Sequence, residues 1–246
     1  MSTSTTYPGN MKHGVLYLIP SALSDGPVED VLPEGTLKVI RSLDYFIVEE
    51  LKTARRFLRK AGFTRDFNEV TLNVYNEHSP LPSFEEYLQV SDQGRDIGLL
   101  SEAGSPCIAD PGSEIVRIAH ENGVPVKPLT GPSSILLALM ASGFNGQNFT
   151  FHGYLPVDKQ MRSKRLKEIE KAAGEKKQTQ IFIETPYRNE QVFQAVLQSC
   201  KDDTMLGLGI GLTGPSEKIE VYAVRDWRKM KPVLGKTPSV FLIYSY

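Results

Sequence analysis

The feature that most restricts the fold of this chain is a short apolar run that leads into a loop of small residues and then into helical spacing. Residues 97–100 form the run, and a short apolar run bounded by turn residues is typical of a buried strand. Residues 103–105 are small and leave backbone groups accessible. Asp110 and Pro111 are typical of an N-cap and a first helical residue. Ligands of open α/β sheets bind beyond the carboxyl ends of strands, so this segment is either a ligand loop or an ordinary turn.

The same alternation recurs through the first half of the chain. Residues 15–19 and 45–48 are further apolar runs, and we expect strands also at 70–75 and 126–129. Helical spacing separates these runs, as in Leu37 and Ile40. Repeated strand, loop and helix units predict a mostly parallel sheet with right-handed crossovers.

The second half predicts a mixed sheet. Strands are expected at 148–151, 180–184, 205–210, 218–222 and 239–244, and helices near 160–173 and 189–200. Short polar connections favour some antiparallel pairs. The predicted fold class is therefore α/β, with two α/β domains at 14–129 and 130–246, and a polar, disordered tail at 1–13.

Composition restricts the class of protein more than its activity. The chain has 246 residues, 40% hydrophobic content and a formal net charge of -1, as in an ordinary soluble globular protein. Its two cysteines follow no metal-ligand spacing, so we expect no metal site and a reducing cytoplasm. We expect no signal peptide and no membrane span, because the first apolar run is too short.

Two acids follow the apolar run 45–48. Glu49 and Glu50, with Lys52 close behind, lie at the predicted sheet edge, where a carboxylate or a neutral amine could serve as a general base. The alternative is that the two acids begin the next helix, where they complement the helix dipole.

Residues 158–177 carry eight basic and four acidic residues, a local charge of +4. Arg162, Lys164 and Arg165 are the candidate contacts to nucleic-acid phosphates. The alternative is a solvated amphipathic helix that packs Leu166 and Ile169 inward.

Four motifs occur in a fixed order along the chain. They are Ser-Glu-Ala-Gly-Ser-Pro at 101–106, Asp-Pro-Gly at 110–112, Pro-Leu-Thr-Gly-Pro-Ser at 128–133 and Gly-Tyr-Leu-Pro at 153–156. Together they resemble the tetrapyrrole methylase superfamily of S-adenosylmethionine-dependent methyltransferases. Within it, the chain is most similar to the branch of small-subunit ribosomal RNA cytidine ribose-O-methyltransferases. Residues 184–188 also resemble the Glu-Ser-Thr-His-Arg segment of that branch.

The resemblance implies S-adenosylmethionine in a cleft between the two domains, a homodimer and an RNA substrate. It also implies a set of cofactor-binding residues in loops of both domains. These are Pro20, Ala103, Gly104, Ser105, Ile108, Ser133, Ser134, Thr185, Leu212 and Pro238. The candidate catalytic residues are Glu49, Glu50 and Lys52.

Three segments differ from the pattern of the branch: 20–25, 49–52 and 210–214. Two alternatives therefore stay open: a methyltransferase that acts on a tetrapyrrole or another small molecule, and a non-catalytic relative that binds the cofactor. A nucleotide-dependent oxidoreductase is disfavoured, because no Gly-x-Gly-x-x-Gly follows the first strand.

Overall fold

The computed structural model describes residues 13–230, 232 and 234–246, so the predicted tail lies outside the described residues except for His13. The chain forms two compact units. The first contains the described residues up to Ala22 together with Pro27–Pro132, and the second contains Leu23–Gly26 and Ser133–Tyr246. The boundary predicted after residue 129 stays a prediction.

The first unit contains a five-stranded sheet in which every pairing is parallel. Its strands are β1 (Leu16–Ile19), β2 (Tyr45–Val48), β3 (Thr71–Val74), β4 (Ile97–Leu100) and β5 (Val126–Pro128), in the order β3-β2-β4-β1-β5. Its helices are α1 (Glu34–Ser42), α2 (Leu51–Lys60), α3 (Phe84–Tyr87) and α4 (Ser113–Glu121). The predicted parallel sheet is confirmed.

Alternating side chains of these strands enter two separate cores. Phe46 and Val48 of β2 pack with α1 and α2 on one face. Tyr45 and Ile47 of the same strand pack with α3 and α4 on the other face. This follows from topology: the connection after β1 leads to β2 on one side, the connection after β4 leads to β5 on the other, and right-handed crossovers put these helices on opposite faces. The five carboxyl ends therefore meet at one edge.

The second unit contains a mixed five-stranded sheet in the order β6-β7-β10-β8-β9. Its strands are β6 (Phe149–Tyr154), β7 (Thr179–Glu184), β8 (Met205–Ile210), β9 (Lys218–Ala223) and β10 (Ser239–Tyr244). Its helices are α5 (Ser134–Ser142), α6 (Lys159–Lys176), α7 (Asn189–Ser199) and α8 (Val224–Met230). Only the β6–β7 pairing is parallel in this sheet, so the predicted mixed sheet is confirmed.

Helices cover both faces of this second sheet. The stacked rings of Phe182 and Phe241, whose centroids lie 5.2 Å apart, pack with α6, α7 and α8 on one face. Ile181 and Leu242 pack with α5 on the other. Trp227 of α8 is buried and its indole N–H donates to the Leu206 carbonyl at 2.9 Å, so this bulky residue keeps its one donor satisfied.

Candidate active site

The loops after β1 and β4 are joined at the carboxyl edge of the first sheet. The Ser21 N–H donates to the Gly104 carbonyl at 2.9 Å, and the Gly104 N–H donates back to the Ser21 carbonyl at 3.1 Å. The loop after β5 lies close to the same place, because a Cβ on Gly131 would come within 2.3 Å of the Pro20 ring. The structure thus brings together Pro20 and Gly104, two of the residues predicted to bind the cofactor.

The main chain of Gly104 is bonded within the protein, which corrects the expectation that it is accessible. Its carbonyl also accepts a hydrogen bond from the Ser101 hydroxyl at 2.6 Å. The exposed side chains of this loop are Glu102, Ala103, Ile108 and Ala109, and Ile108 is 51% exposed. Ser105 is half-buried. A ligand at this loop would therefore meet small and apolar side chains together with the Glu102 carboxylate.

Asp110 is not the N-cap of α4, contrary to the prediction. Gly112 occupies that position, with φ 124 and no side-chain cap. The Asp110 carboxyl instead lies beside the Glu49 carboxyl, and two carboxyl groups can bond to each other only through a shared proton. Burial, followed by hydrogen bonding with Glu49 and the negative charges of Glu49 and Glu102, raises the pKa of Asp110 to about 9. Asp110 is the functional candidate that sequence reasoning assigned to a purely structural position.

Glu49 and Glu102 line an open pocket at this edge, with about 230 Å³ of empty volume. Ser21, Thr53 and Ser101 contribute hydroxyl groups to its wall. The Thr53 hydroxyl donates to Glu102 at 2.6 Å. The Glu49 oxygen Oε1 and the Asp110 oxygen Oδ2 are both buried, and neither accepts an N–H or hydroxyl hydrogen bond among the described residues. The pocket thus combines carboxyl and hydroxyl groups.

Glu50 is the N-cap of α2, as the alternative interpretation proposed. Its two carboxylate oxygens accept the N–H groups of Lys52 and Thr53 at 2.8 and 2.7 Å. These two hydrogen bonds lower the pKa of Glu50, because they stabilise the ionised form. Both carboxylate oxygens are thus engaged at the start of α2, and Lys52 is exposed beside Glu50. Glu49 is the better candidate for proton transfer.

In the second unit, three predicted cofactor residues lie at one edge of the mixed sheet. Register pairs Ser239 of β10 with Glu184 of β7 and with Ile210 of β8. Thr185, Leu212 and Pro238 therefore follow or precede strand ends at the same edge. Thr185 and Pro238 are exposed, whereas the Leu212 side chain is buried in the core beside α5. Leu212 can offer a ligand only its backbone.

Ser133 and Ser134, also predicted to bind the cofactor, begin α5. Ser133 is its N-cap residue but makes no side-chain capping hydrogen bond. Both serines are half-buried. Free N–H groups and hydroxyls at this helix start can donate to a carboxylate or a ribose.

Arg162 is not a surface residue, which removes it from the predicted phosphate contacts. It is 2% exposed, and its guanidinium donates to the carbonyls of Pro156 at 3.2 Å and Val157 at 2.8 Å. Arg165 is half-buried and donates to His152 Nδ1 at 3.0 Å and to Glu168. Lys164 is exposed. Of the three predicted contacts, Lys164 alone extends into solvent without a bond to the body of the fold among the described residues.

The described part of the chain comprises residues 13–230, 232 and 234–246. Within these ranges, no cluster of three or more His, Cys, Asp or Glu side chains has the arrangement of a metal site. Likewise, no helix there combines the length and apolarity that a membrane crossing needs.

Two α/β units with loops at the carboxyl ends of their strands are found in a broad class of proteins. Comparison with known proteins identifies the family within that class. The family model of tetrapyrrole (corrin/porphyrin) methylases matches residues 26–226. The ribosomal RNA small subunit methyltransferase I of Vibrio cholerae is 31% identical over 100% of this chain and 82% of its own length. The protein of the same name from Leptospira biflexa is 29% identical over 94% and 90%.

A solved structure shares the fold at lower identity. The crystal structure of the methyltransferase CobJ aligns with a TM-score of 0.60 at 17% identity, over 95% of this chain and 100% of that one. This chain therefore belongs to the family of tetrapyrrole methylases, and it is an S-adenosylmethionine-dependent methyltransferase.

Each unit has side-chain chemistry of a kind that this cofactor requires. In the first unit, Ile108 is an exposed apolar side chain. In the second unit, Thr185 is exposed, and the start of α5 has no side-chain cap. Small-molecule sites use both apolar surface and a few polar donors.

Proposed function

We propose that this chain methylates a ribose oxygen in the RNA of the small ribosomal subunit. The observation that carries the proposal is similarity over nearly the whole chain to two proteins named ribosomal RNA small subunit methyltransferase I. An exposed basic row on α6 supports it. Lys164, Lys167 and Lys171 recur at helical spacing and are all exposed, and such a row can follow phosphates.

We assign the cofactor to the predicted loops, with Ile108, Ser133, Ser134, Thr185 and the Leu212 backbone as its principal contacts. S-adenosylmethionine supplies an electrophilic methyl group on a positively charged sulfur. The protein's part is to orient the acceptor hydroxyl and to remove its proton as the carbon–oxygen bond forms. Pro20, Ala103, Gly104, Ser105 and Pro238 shape the surrounding loops.

Glu49 is our candidate for the group that accepts this proton. It lines the pocket, and unlike Glu50 it does not cap a helix. Asp110 keeps its own proton at neutral pH because its pKa is raised to about 9, so it can donate to Glu49 and hold that carboxylate in position. Glu49 is then the catalytic residue and Asp110 the positioning residue.

Replacement of Glu49 tests this assignment. Glu49→Gln should lower kcat for methyl transfer about 100-fold, the scale of general base catalysis, with unchanged affinity for S-adenosylmethionine in calorimetry. Glu50→Gln is the matched control and should retain turnover, at the cost of up to ~1 kcal/mol of stability from a weakened cap. Equal turnover in both variants would contradict the role of Glu49.

The basic row is tested by salt dependence. The double variant Lys164→Gln, Lys167→Gln should weaken RNA binding and reduce the slope of log K against log salt by about 0.7 to 0.9 for each lost phosphate contact. Lys38→Gln on α1, also exposed, is the control. If the RNA affinity and the salt slope are identical to those of the wild type, the basic row does not contact RNA and α6 is only a solvated helix.

The acceptor itself is best identified in cells. Small-subunit ribosomal RNA from cells that lack this protein should be missing one methyl group, and the purified protein should restore it from labelled S-adenosylmethionine. The second candidate, a tetrapyrrole acceptor, is favoured by the family description. Label transferred to a tetrapyrrole pool but not to RNA would support that candidate instead, and no transfer to either would favour a non-catalytic relative.

We further propose that the protein is a homodimer and acts in the cytoplasm. The homodimer rests on the resemblance described above, and the cytoplasm on the ribosomal substrate named for its relatives.

A further inference from the structure

The second unit exposes an aromatic ring that has a lysine ammonium over one of its faces. Tyr187, in the loop between β7 and α7, is 82% exposed. The ammonium of Lys236 lies over one face of the ring, 5.2 Å from its centroid. With this exposure, the other face of the ring is open to an external partner.

The segment that carries Tyr187 is held firmly. Glu184, whose side chain is 0% exposed, accepts the Thr185 N–H at 2.7 Å and forms an ion pair with Arg188 at 3.0 Å. The Arg188 guanidinium also donates to the carbonyls of Leu155 and Pro156 at 3.2 and 3.3 Å. Tyr187 therefore sits on a loop fixed at both of its ends.

The segment that carries Lys236 is fixed to the same element. The buried Asn189, first residue of α7, donates to the Thr237 carbonyl and to the Ser239 hydroxyl. One residue of α7 thus sets the position of the chain that precedes β10. The backbone segments that carry the ring and the cation are thus both fixed next to the start of α7.

A second exposed ring lies at the same edge of the sheet. Tyr154 ends β6, is 52% exposed and is paired in register with Ile183 near the end of β7. The bonds from Arg188 to Leu155 and Pro156 join the loop after Tyr154 to the loop that holds Tyr187. We call Tyr154, Tyr187 and Lys236 the aromatic edge.

We propose that the aromatic edge binds single-stranded RNA next to the target nucleotide, with a base stacked on the open face of Tyr187 and a phosphate at Lys236. This rests on the proposed RNA substrate and adds the part of the chain that holds it. Bases stack on aromatic rings with little regard to sequence, and a lysine beside the ring complements a phosphate. S-adenosylmethionine has an adenine but no phosphate and carries a positive sulfonium, so Lys236 favours RNA as the occupant.

Binding of a fluorescein-labelled oligoadenylate, read by anisotropy, tests the ring. Tyr187→Ala should weaken binding about tenfold, within the range for loss of one base–aromatic stack, whereas Tyr187→Phe should stay within about twofold because it keeps the ring. Lys236→Gln should reduce the salt slope by about 0.7, the value for one phosphate contact on a single strand. Tyr246→Ala is the control, since Tyr246 is 76% exposed beyond the opposite end of β10.

Two outcomes would overturn the aromatic edge. One is an oligoadenylate affinity of Tyr187→Ala equal to that of Tyr246→Ala. The other is an equal loss of S-adenosylmethionine affinity in calorimetry, which would assign the ring to the cofactor. Methyl transfer by the wild type to small-subunit RNA is measured in parallel. If transfer occurs and Tyr187→Ala binds RNA normally, this inference alone fails; if RNA binding depends on Tyr187 but no RNA is methylated, the edge stands and the proposed acceptor fails.

Discussion

Asp110 illustrates how a single residue can change role between sequence and structure. Asp-Pro-Gly is a common start of a helix, and sequence reasoning assigned Asp110 to the cap. The cap is Gly112, and Asp110 pairs with Glu49, which lies far away in sequence at the end of β2. Only the parallel pairing of β2 with β4 brings the two together, and no local pattern reports that register.

The Asp110 carboxyl should make stability fall as pH rises. Its pKa is raised to about 9 in the folded protein, whereas the unfolded chain releases the same proton near pH 4. Between these values the folded state binds more protons, so the stability contribution of this group is fully present below about pH 4 and is lost as pH rises toward 9. Asp110→Asn should flatten this loss, so the Tm of the variant relative to that of the wild type should rise from pH 6 to pH 9.

Thermal unfolding at several pH values measures this effect. Asp30→Asn, an exposed aspartate in the same unit, is the control and should keep the wild-type slope. Parallel curves for Asp110→Asn and wild type would mean that the two carboxyls do not share a proton.

Arg162 is buried, whereas its charge had predicted a position at the surface. Arg162 and Lys164 look alike in a list of charges, yet one bonds two carbonyls of the loop after β6 and the other faces solvent. Helical period separates them, since Arg162, Leu166 and Ile169 share the buried face of α6. The helical spacing indicated which face of α6 is buried, but the prediction placed Arg162 on the surface because of its charge alone.

Among the elements, the strands were predictable where a buried apolar run is short and bounded by turn residues, as in β2 and β8. Predictions were less exact where geometry departs from the regular pattern. β6 runs on to Tyr154, beyond the predicted end at 151, because an irregular register after Phe151 and a positive φ of 65 at Gly153 interrupt the alternation. The parallel β6–β7 pair requires a crossover helix, and α6 provides it.

Gly98 in β4 lies close to side chains of the two neighbouring strands, β1 and β2. A Cβ there would come within 2.6 Å of Ile19 and 2.8 Å of Phe46. Gly98→Ala should therefore destabilise the protein by about 1–3 kcal/mol, the usual cost of overpacking. Gly35 in α1 has no atom within 4 Å of the same position, and Gly35→Ala should stabilise by about 0.5–1 kcal/mol.

Urea unfolding of the two variants makes the comparison. Opposite shifts of the midpoint from wild type are expected at constant slope. A neutral Gly98→Ala would mean that Ile19 and Phe46 can move aside.

For the whole molecule, the family and the two-sheet architecture could be predicted because four motifs in series are far more specific than one loop. The membership of Leu23–Gly26 in the second unit could not, because it depends on contacts such as that of the Ser24 hydroxyl with the Thr213 carbonyl at 3.0 Å, across most of the chain.

The proposed homodimer predicts the mass of the protein in solution. Light scattering at micromolar concentration should give twice the 27.4 kDa mass of the chain. The single-chain mass at every concentration tested would contradict it.

The position of Leu23–Gly26 has a consequence for biosynthesis. These residues leave the ribosome early, whereas Thr213 and Gly214, which they meet, emerge near the end of translation. The second unit therefore cannot complete its packing with residues 133–246 alone. It also needs Leu23–Gly26, which are synthesised much earlier. Leu23, which packs against the core beside α5, therefore meets its apolar partners only after the second sheet has been synthesised.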